Sequence, residues 1–129
     1  MYKKAIIAGT LFAAAAVMLG AFGAHGLKKL VTPEHLMVYE TGVRYHFYHS
    51  LALIVTGILY GHFPHKNLSL ATIFFIIGIL LFSGSLYAIV YTGILGTSIG
   101  PMGILTPIGG VFFILGWVWV ALGVLKQKP

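Results

Sequence analysis

The stretch VRYHFYHSLAL, residues 43–53, places one arginine and two histidines directly before a run of apolar residues. His46 and His49 are three residues apart, and imidazoles at this spacing on a helix are candidate metal ligands. Zinc needs three or four convergent ligands, and only His25 and Glu40 could complete such a set near one membrane face. We therefore expect no metal site, and instead expect these polar side chains to bond one another and the ends of helices.

Two further groups of polar residues extend this candidate site. Glu40 and Arg44 are four residues apart in the order that favours an ion pair on a helix. The segment LFSGSLY contains Ser83 and Ser85 without a nearby acid or base, so we expect helix-to-helix hydrogen bonds rather than a nucleophilic serine. No catalytic residue is predicted, and the candidate polar cluster comprises His25, Glu40, Arg44, Tyr45, His46, His49, Ser83, Ser85 and Tyr87.

The elements that must position these residues are four apolar runs. The chain has 129 residues, of which 59% are hydrophobic and 8% charged, and its mean hydropathy is +0.99. Each run is close to the roughly 20 residues that a helix needs to cross a bilayer. The predicted spans are residues 5–24, 43–61, 68–91 and 107–125. These features predict an all-α integral membrane four-helix bundle, formed as a single transmembrane domain over residues 1–129.

The net charge of +6 does not indicate nucleic-acid binding, because the basic residues are not gathered in one patch. They stand at the ends of the apolar runs, where lysine anchors a helix among lipid headgroups. We therefore predict membrane lipid as a partner, no nucleic acid and no cofactor. The absence of cysteine excludes disulfides and cysteine-ligated iron–sulfur clusters. The anchoring lysines are Lys3, Lys4, Lys28, Lys29, Lys66, Lys126 and Lys128.

The distribution of lysines also predicts orientation. Four spans place both termini on one side of the membrane, and the two ends plus the second connection carry more lysines than the first and third connections. We expect a multi-pass protein of the bacterial cytoplasmic (inner) membrane with both termini in the cytoplasm.

Two connections are not simple loops. Thr32 can cap a helix that begins at Pro33, with Glu34 in its first turn. This segment is predicted to form a short interfacial helix before the second span, or a long extension of that span bent near Gly42. The third connection is rich in glycine and uncharged, and either folds over the end of the bundle or re-enters the membrane as the lining of a pathway.

Glycines recur at spacings that suit close helix packing in lipid. Gly57 and Gly61 form a GxxxG pair, Gly20 belongs to a series of small residues, and a seven-residue repeat follows in the last span. The candidate packing glycines are Gly20, Gly57, Gly61, Gly109, Gly116 and Gly123. They leave open whether the contacts lie within one chain or in a homo-oligomer.

Four motifs in order along the chain resemble the YgdD/YwdK family of small bacterial inner-membrane proteins of unknown function. They are LGAFGAHGL at 19–27, TGVRYHFYHSLAL at 41–53, LFSGSLY at 81–87 and TPIGG at 106–110. The resemblance covers essentially the whole chain and implies a four-helix membrane protein, without implying a reaction, substrate or cofactor. It points to His25 and His49 more than to His46 and Arg44, where the family pattern varies.

Three functions remain open on these grounds. The first is a non-enzymatic structural, assembly or lipid-interacting component of the membrane, and we expect this one. The second is a small carrier or channel for an ion or solute, with the polar cluster and third connection at its mouth. The third, a membrane redox or metal enzyme, has the least support. We further expect His25 and His49 to lie together in one polar cluster with Tyr45 and the segment 83–87.

Overall fold

The chain folds into four long helices, in a computed structural model that describes residues 2–98 and 100–128. We number these helices one to four; they span Lys3–His25, Pro33–His62, Lys66–Ile94 and Leu105–Leu125. Short 3-10 turns, Leu27–Lys29 and Gly100–Ile104, lie before the second and fourth helices.

Three helices in the described part of the chain are long and apolar enough to cross a membrane, namely the first, third and fourth. The second helix is not one of these three, although its 30 residues exceed the length that a span requires. The chain is an all-α membrane bundle, as predicted, and its second helix differs from the others in carrying the histidines and the Glu40–Arg44 pair.

The second helix begins where its capping residues predict. The Thr32 hydroxyl accepts a hydrogen bond from the His35 main-chain N–H at 3.2 Å, and Pro33 occupies the first helical position. The helix then continues without interruption through Gly42, so a separate short interfacial helix is wrong and the alternative of one long helix is correct. A methyl group at Gly42 would lie 3.0 Å from Cε1 of Tyr87, so glycine here lets the third helix approach closely.

Consecutive helices pack antiparallel, and the second helix lies between the first and the third. Gly9 packs against Ile54, whereas Gly20, further along the first helix, packs against Val43. The two described ends of the chain and the short second connection therefore share one end of the bundle. The first and third connections share the other.

The interior is built mainly around the second helix. Its inner face buries polar side chains, including His46, His49 and Ser50, that would lack hydrogen-bond partners in lipid. Apolar side chains from the second, third and fourth helices surround this face. The principal core cluster consists of Ala52, Leu53, Ala71, Phe75, Ile79 and Phe113.

The third helix contains a π turn, Ile79–Ser83, between α-helical segments Lys66–Gly78 and Gly84–Ile94. The connection that follows it turns at Gly96 and Gly100, which have φ angles of +71° and +58° that favour glycine. Residues 95–98 are exposed, and the His35 ring lies against Gly93 at the start of this connection. The described part of this connection therefore starts at the end of the bundle, beside His35.

Candidate functional site

His49 joins the second helix to the fourth and is only 5% exposed. Its Nδ1–H donates to the Tyr45 carbonyl oxygen at 2.8 Å, so Nε2 carries no proton and accepts from the Trp117 indole N–H at 3.1 Å. The ring also stacks on Phe113, with centroids 3.5 Å apart and planes 9° apart. Both nitrogens of the neutral imidazole thus have hydrogen-bond partners, and the ring holds two helices together.

His46 lies on the same inner face, about 60° round the helix from His49, and meets the first and third helices. Its Nδ1 lies 3.0 Å from the Tyr87 hydroxyl, and its ring packs edge-on against Phe12. The side chain is 5% exposed, and Nε2 has no partner that meets hydrogen-bond geometry among the described residues. The Phe12 carbonyl is beside the ring without completing such a bond. His46 is therefore only half satisfied.

Aromatic contacts fill the space between these two histidines and the π turn. The Tyr45 ring lies 4.9 Å from that of Phe82, and the Phe82 ring lies 5.4 Å from that of Phe113. Tyr45 remains 38% exposed, so it forms the outer edge of this group. The π turn adds one residue to the third helix where Phe82 must face both Tyr45 and the fourth helix.

Two serines connect the third helix to its neighbours. The buried Ser83 hydroxyl donates to the Gly42 carbonyl oxygen at 2.7 Å. Ser85 donates to the Phe82 carbonyl oxygen at 2.8 Å and forms a short hydrogen bond with the Thr106 hydroxyl. Tyr87 completes the group through its bond to His46. The serines thus tie the third helix to both the second and the fourth.

Glu40 and Arg44 lie on the outer face of the second helix and are exposed. The favourable spacing does not produce the predicted ion pair: among the described residues neither side chain has an ion-pair or hydrogen-bond partner. The physical reason is that both side chains are long and point into open surroundings, where little fixes their geometry. They therefore do not belong to the interior polar group.

His25 also lies outside the interior group, and the expected cluster of His25 with His49 is wrong. His25 is exposed at the end of the first helix, beside Lys28 and Lys29. Gly23 packs on Tyr39, and His25 lies two residues further along the first helix, so His25 is roughly 18 Å from the level of His49 at 1.5 Å per residue. The error arises because the second helix begins at Pro33, which places His49 near its middle rather than at its mouth.

The last span's glycine repeat faces the third helix of the same chain. Gly109, Gly116 and Gly123 lie against Phe82, Phe75 and Leu68, which are also spaced by seven. A methyl group at Gly116 would come within 2.6 Å of the Phe75 ring, and one at Gly109 would overlap the Phe82 main chain.

The remaining candidate packing glycines lie elsewhere in the bundle. Gly20 faces Val43, and Gly57 faces Ile6 across the first two helices. Gly61 is exposed near the end of the second helix.

Sequence reasoning missed the partners that fix the histidines. Trp117 and Phe113 were not among the candidate site residues, yet both hold the His49 ring. Their spacing of four residues, which places them on one face of a helix, was the available signal. Tyr39, whose hydroxyl donates to the Leu19 carbonyl oxygen at 2.6 Å, had no such signal.

A metal centre is not assembled by the residues described. No three His, Asp or Glu side chains within residues 2–98 and 100–128 converge as ligands. The arrangement bonds polar groups of neighbouring helices to one another.

Comparisons with known proteins agree with the motif resemblance. A UPF0382 membrane protein of Staphylococcus aureus is 42% identical over 124 residues, covering 96% of this chain and 97% of the relative. The UPF0382 membrane protein YwdK of Bacillus subtilis is 41% identical over 125 residues, covering 96% and 98%. No solved structure matches the chain. The family model described as protein of unknown function (DUF423) matches residues 19–110, and with these full-length relatives it shows that the chain belongs to that family.

Proposed function

We propose that this chain is a non-enzymatic component of the bacterial cytoplasmic membrane with a structural, assembly or lipid-interacting role. The observation that carries the proposal is that buried polar side chains form hydrogen bonds with other groups of the protein. Both nitrogens of His49 bond protein groups, and the hydroxyls of Ser83 and Tyr87 bond the second helix. Polar groups committed to holding helices together favour a stable bundle that acts through its outer surface.

The proposal includes four membrane passes. The outer face of the second helix supports this count, because a continuous apolar stripe follows Arg44 at helical spacing. The exposed residues of that stripe are Tyr48, Leu51, Val55 and Ile58. Part of the low hydropathy of this helix comes from its inner face, where protein rather than lipid surrounds the histidines.

We also propose that both termini lie in the cytoplasm. The support is the excess of lysines on the end of the bundle that carries the two described chain ends. A reporter enzyme that works only outside the cytoplasm, fused after residue 129, should be inactive. The same reporter placed in the third connection should be active, and the opposite result would reverse the orientation.

The central experiment extracts the chain from membranes in a mild detergent and measures the mass of the particle by native mass spectrometry. The proposal expects bound lipid, a homo-oligomer, or both. A strictly monomeric particle without lipid or partner would contradict it. The third helix of the same chain already packs against the repeat at Gly109, Gly116 and Gly123, so a homo-oligomer must form through other surfaces. Substitution of exposed residues on the outer faces should therefore change the oligomeric state even when these glycines are retained.

A carrier or channel is the second candidate, and one observation favours it. Nε2 of His46 is buried and unpartnered beside the Tyr87 hydroxyl, and a half-satisfied polar group inside a membrane protein can mark a path for a proton or small solute. Reconstituted liposomes should test this with a panel of ions and small solutes. Flux that His46→Leu abolishes would support the carrier, and no flux with any of them would exclude it.

A further inference from the structure

Arg44 and Glu40 are two unpaired charges on a face that is otherwise apolar. Below Arg44 the same stripe of the second helix continues as Tyr48 and Leu51, 53% and 44% exposed. An exposed arginine at such a position is stable when its guanidinium reaches a phosphate, which it binds through two parallel hydrogen bonds. Neither charge has a partner among the described residues, so both are free to bind a ligand from outside.

A groove runs beside these charges between the first and second helices. Its volume is about 460 Å³. Small side chains on the first helix, rather than a gap in the fold, create the space. The groove is lined by Ala16, Val17, Gly20, Ala21, Val43, Arg44, Phe47 and Tyr48. Arg44 is its only charged lining residue, so the groove suits an acyl chain that ends at a polar group.

A second, smaller pocket continues the groove towards the end of the bundle. It has a volume of about 160 Å³, and Glu40 and Arg44 both line it together with Gly20, Gly23, Ala24, Tyr39 and Val43. Glu40 lies one turn beyond Arg44, roughly 6 Å further along the helix axis. The order along the surface is therefore apolar groove, positive charge, negative charge.

This order complements one kind of lipid, and we propose that the groove binds a phospholipid with a phosphoethanolamine headgroup. The acyl chain lies along Ala21 and Phe47, the phosphate binds Arg44, and the terminal ammonium binds Glu40. A headgroup without an ammonium would leave the Glu40 carboxylate close to a phosphate and unpaired, which disfavours it. The inference deepens the lipid-interacting part of the proposed function and rests on it.

Headgroup preference is the measurement that tests the site. Detergent-purified protein is incubated with phosphatidylethanolamine and phosphatidylglycerol of identical acyl chains, mixed equally, and bound lipid is counted by native mass spectrometry. Wild type should prefer phosphatidylethanolamine by about fivefold, the effect of one favourable charge contact near a membrane surface. Glu40→Lys should reverse the preference towards phosphatidylglycerol, a change that a purely structural role for Glu40 would not produce.

Two further variants test the groove, each with a matched control. Arg44→Ala should reduce retention of both lipids by about fivefold, whereas Lys66→Ala, an exposed lysine at the other end of the bundle, should not. Ala21→Phe should fill the groove and displace lipid, whereas Ala121→Phe, at an exposed alanine on the fourth helix, should leave binding unchanged.

Three outcomes would overturn the inference. Equal retention of the two lipids by wild type, or a preference for phosphatidylglycerol, would exclude the headgroup assignment while leaving the proposed function intact. Loss of a dimer rather than of lipid in Ala21→Phe would make the groove an interface between copies of this chain. A monomer that retains no lipid under any condition would remove both this inference and the proposed function.

Discussion

The second helix presents two faces that use polar residues in opposite ways. On the inner face, His49 is 5% exposed and both its nitrogens are bonded to protein. On the outer face, Arg44 is exposed and has no partner among the described residues. The two residues are five positions apart, and rotation of the helix separates them by about 140° at 100° per residue.

The difference shows that a polar residue in an apolar run acquires its role from what surrounds it. In the interior the polar side chains are buried among other side chains, so each polar atom needs a partner and its hydrogen bond contributes to the stability of the bundle. On the outer face the proposed partner is a lipid headgroup. Changes on the inner face should therefore alter unfolding, and changes on the outer face should alter lipid binding.

The largest loss of stability is expected where the interior is most crowded. Gly109→Ala should lower the free energy of unfolding by about 3 kcal/mol, because the added methyl group meets the Phe82 main chain, which cannot move aside as a side chain can. Unfolding by sodium dodecyl sulfate in mixed micelles, followed by circular dichroism, measures this. Gly84→Ala is the control, since a methyl group there meets nothing within 4 Å, and a comparable loss in both variants would contradict the packing.

A smaller loss is expected from His49→Leu, at about 2 kcal/mol in the same assay. The substitution leaves the Trp117 indole N–H without an acceptor, and a donor that meets only apolar side chains and lipid costs more when unpaired than the bond itself contributed. His62→Leu is the matched change, because His62 is exposed and its one hydrogen bond among the described residues joins it to the Ile58 carbonyl of its own helix. If both variants unfold alike, His49 does not join the helices.

Ser83→Ala should cost about 1 kcal/mol, within the range measured for single hydrogen bonds between membrane helices. The hydroxyl donates to Gly42 across two helices, so its loss loosens their contact without creating a large cavity. Ser69→Ala, on the same helix and without a side-chain hydrogen bond among the described residues, should be close to neutral. A neutral Ser83 variant would show that helix packing alone holds the third helix in place.

The smallest effect on stability should come from the outer face. Arg44→Ala should change the free energy of unfolding by less than about 0.5 kcal/mol, because an exposed side chain without partners makes no contact that folding requires. The measurement is made in lipid-free detergent, so that binding of phospholipid does not add to stability. A loss as large as that of His49→Leu would erase the contrast between the two faces.

Much of the fold follows from local features of the chain. The apolar runs predicted the first, third and fourth helices closely, and Thr32 with Pro33 predicted the start of the second. The beginning of the fourth helix is less exact: the helix begins at Leu105, two residues before the predicted span 107–125. The Thr106 hydroxyl there bonds Ser85 of the third helix, a tertiary contact that no local pattern contains.

The interior of the candidate site was harder to predict. The position of polar residues in apolar runs predicted a polar group that includes His49, Ser83 and Tyr87. The same prediction assigned His25 and the Glu40–Arg44 pair to this group, and these residues lie outside it. Spacing along a helix fixes which residues share a face. It does not fix which face is covered by another helix.

Hydropathy and lysine placement, as properties of the sequence alone, determined that this chain is an all-α membrane protein, because the cost of exposing so much apolar surface to water is independent of how the helices are arranged. The tertiary structure decided which polar residues are partners. Bonds such as Trp117 to His49 and Ser83 to Gly42 join residues 68 and 41 positions apart. They exist only because glycines let antiparallel helices approach closely enough for short side chains to reach a neighbouring helix.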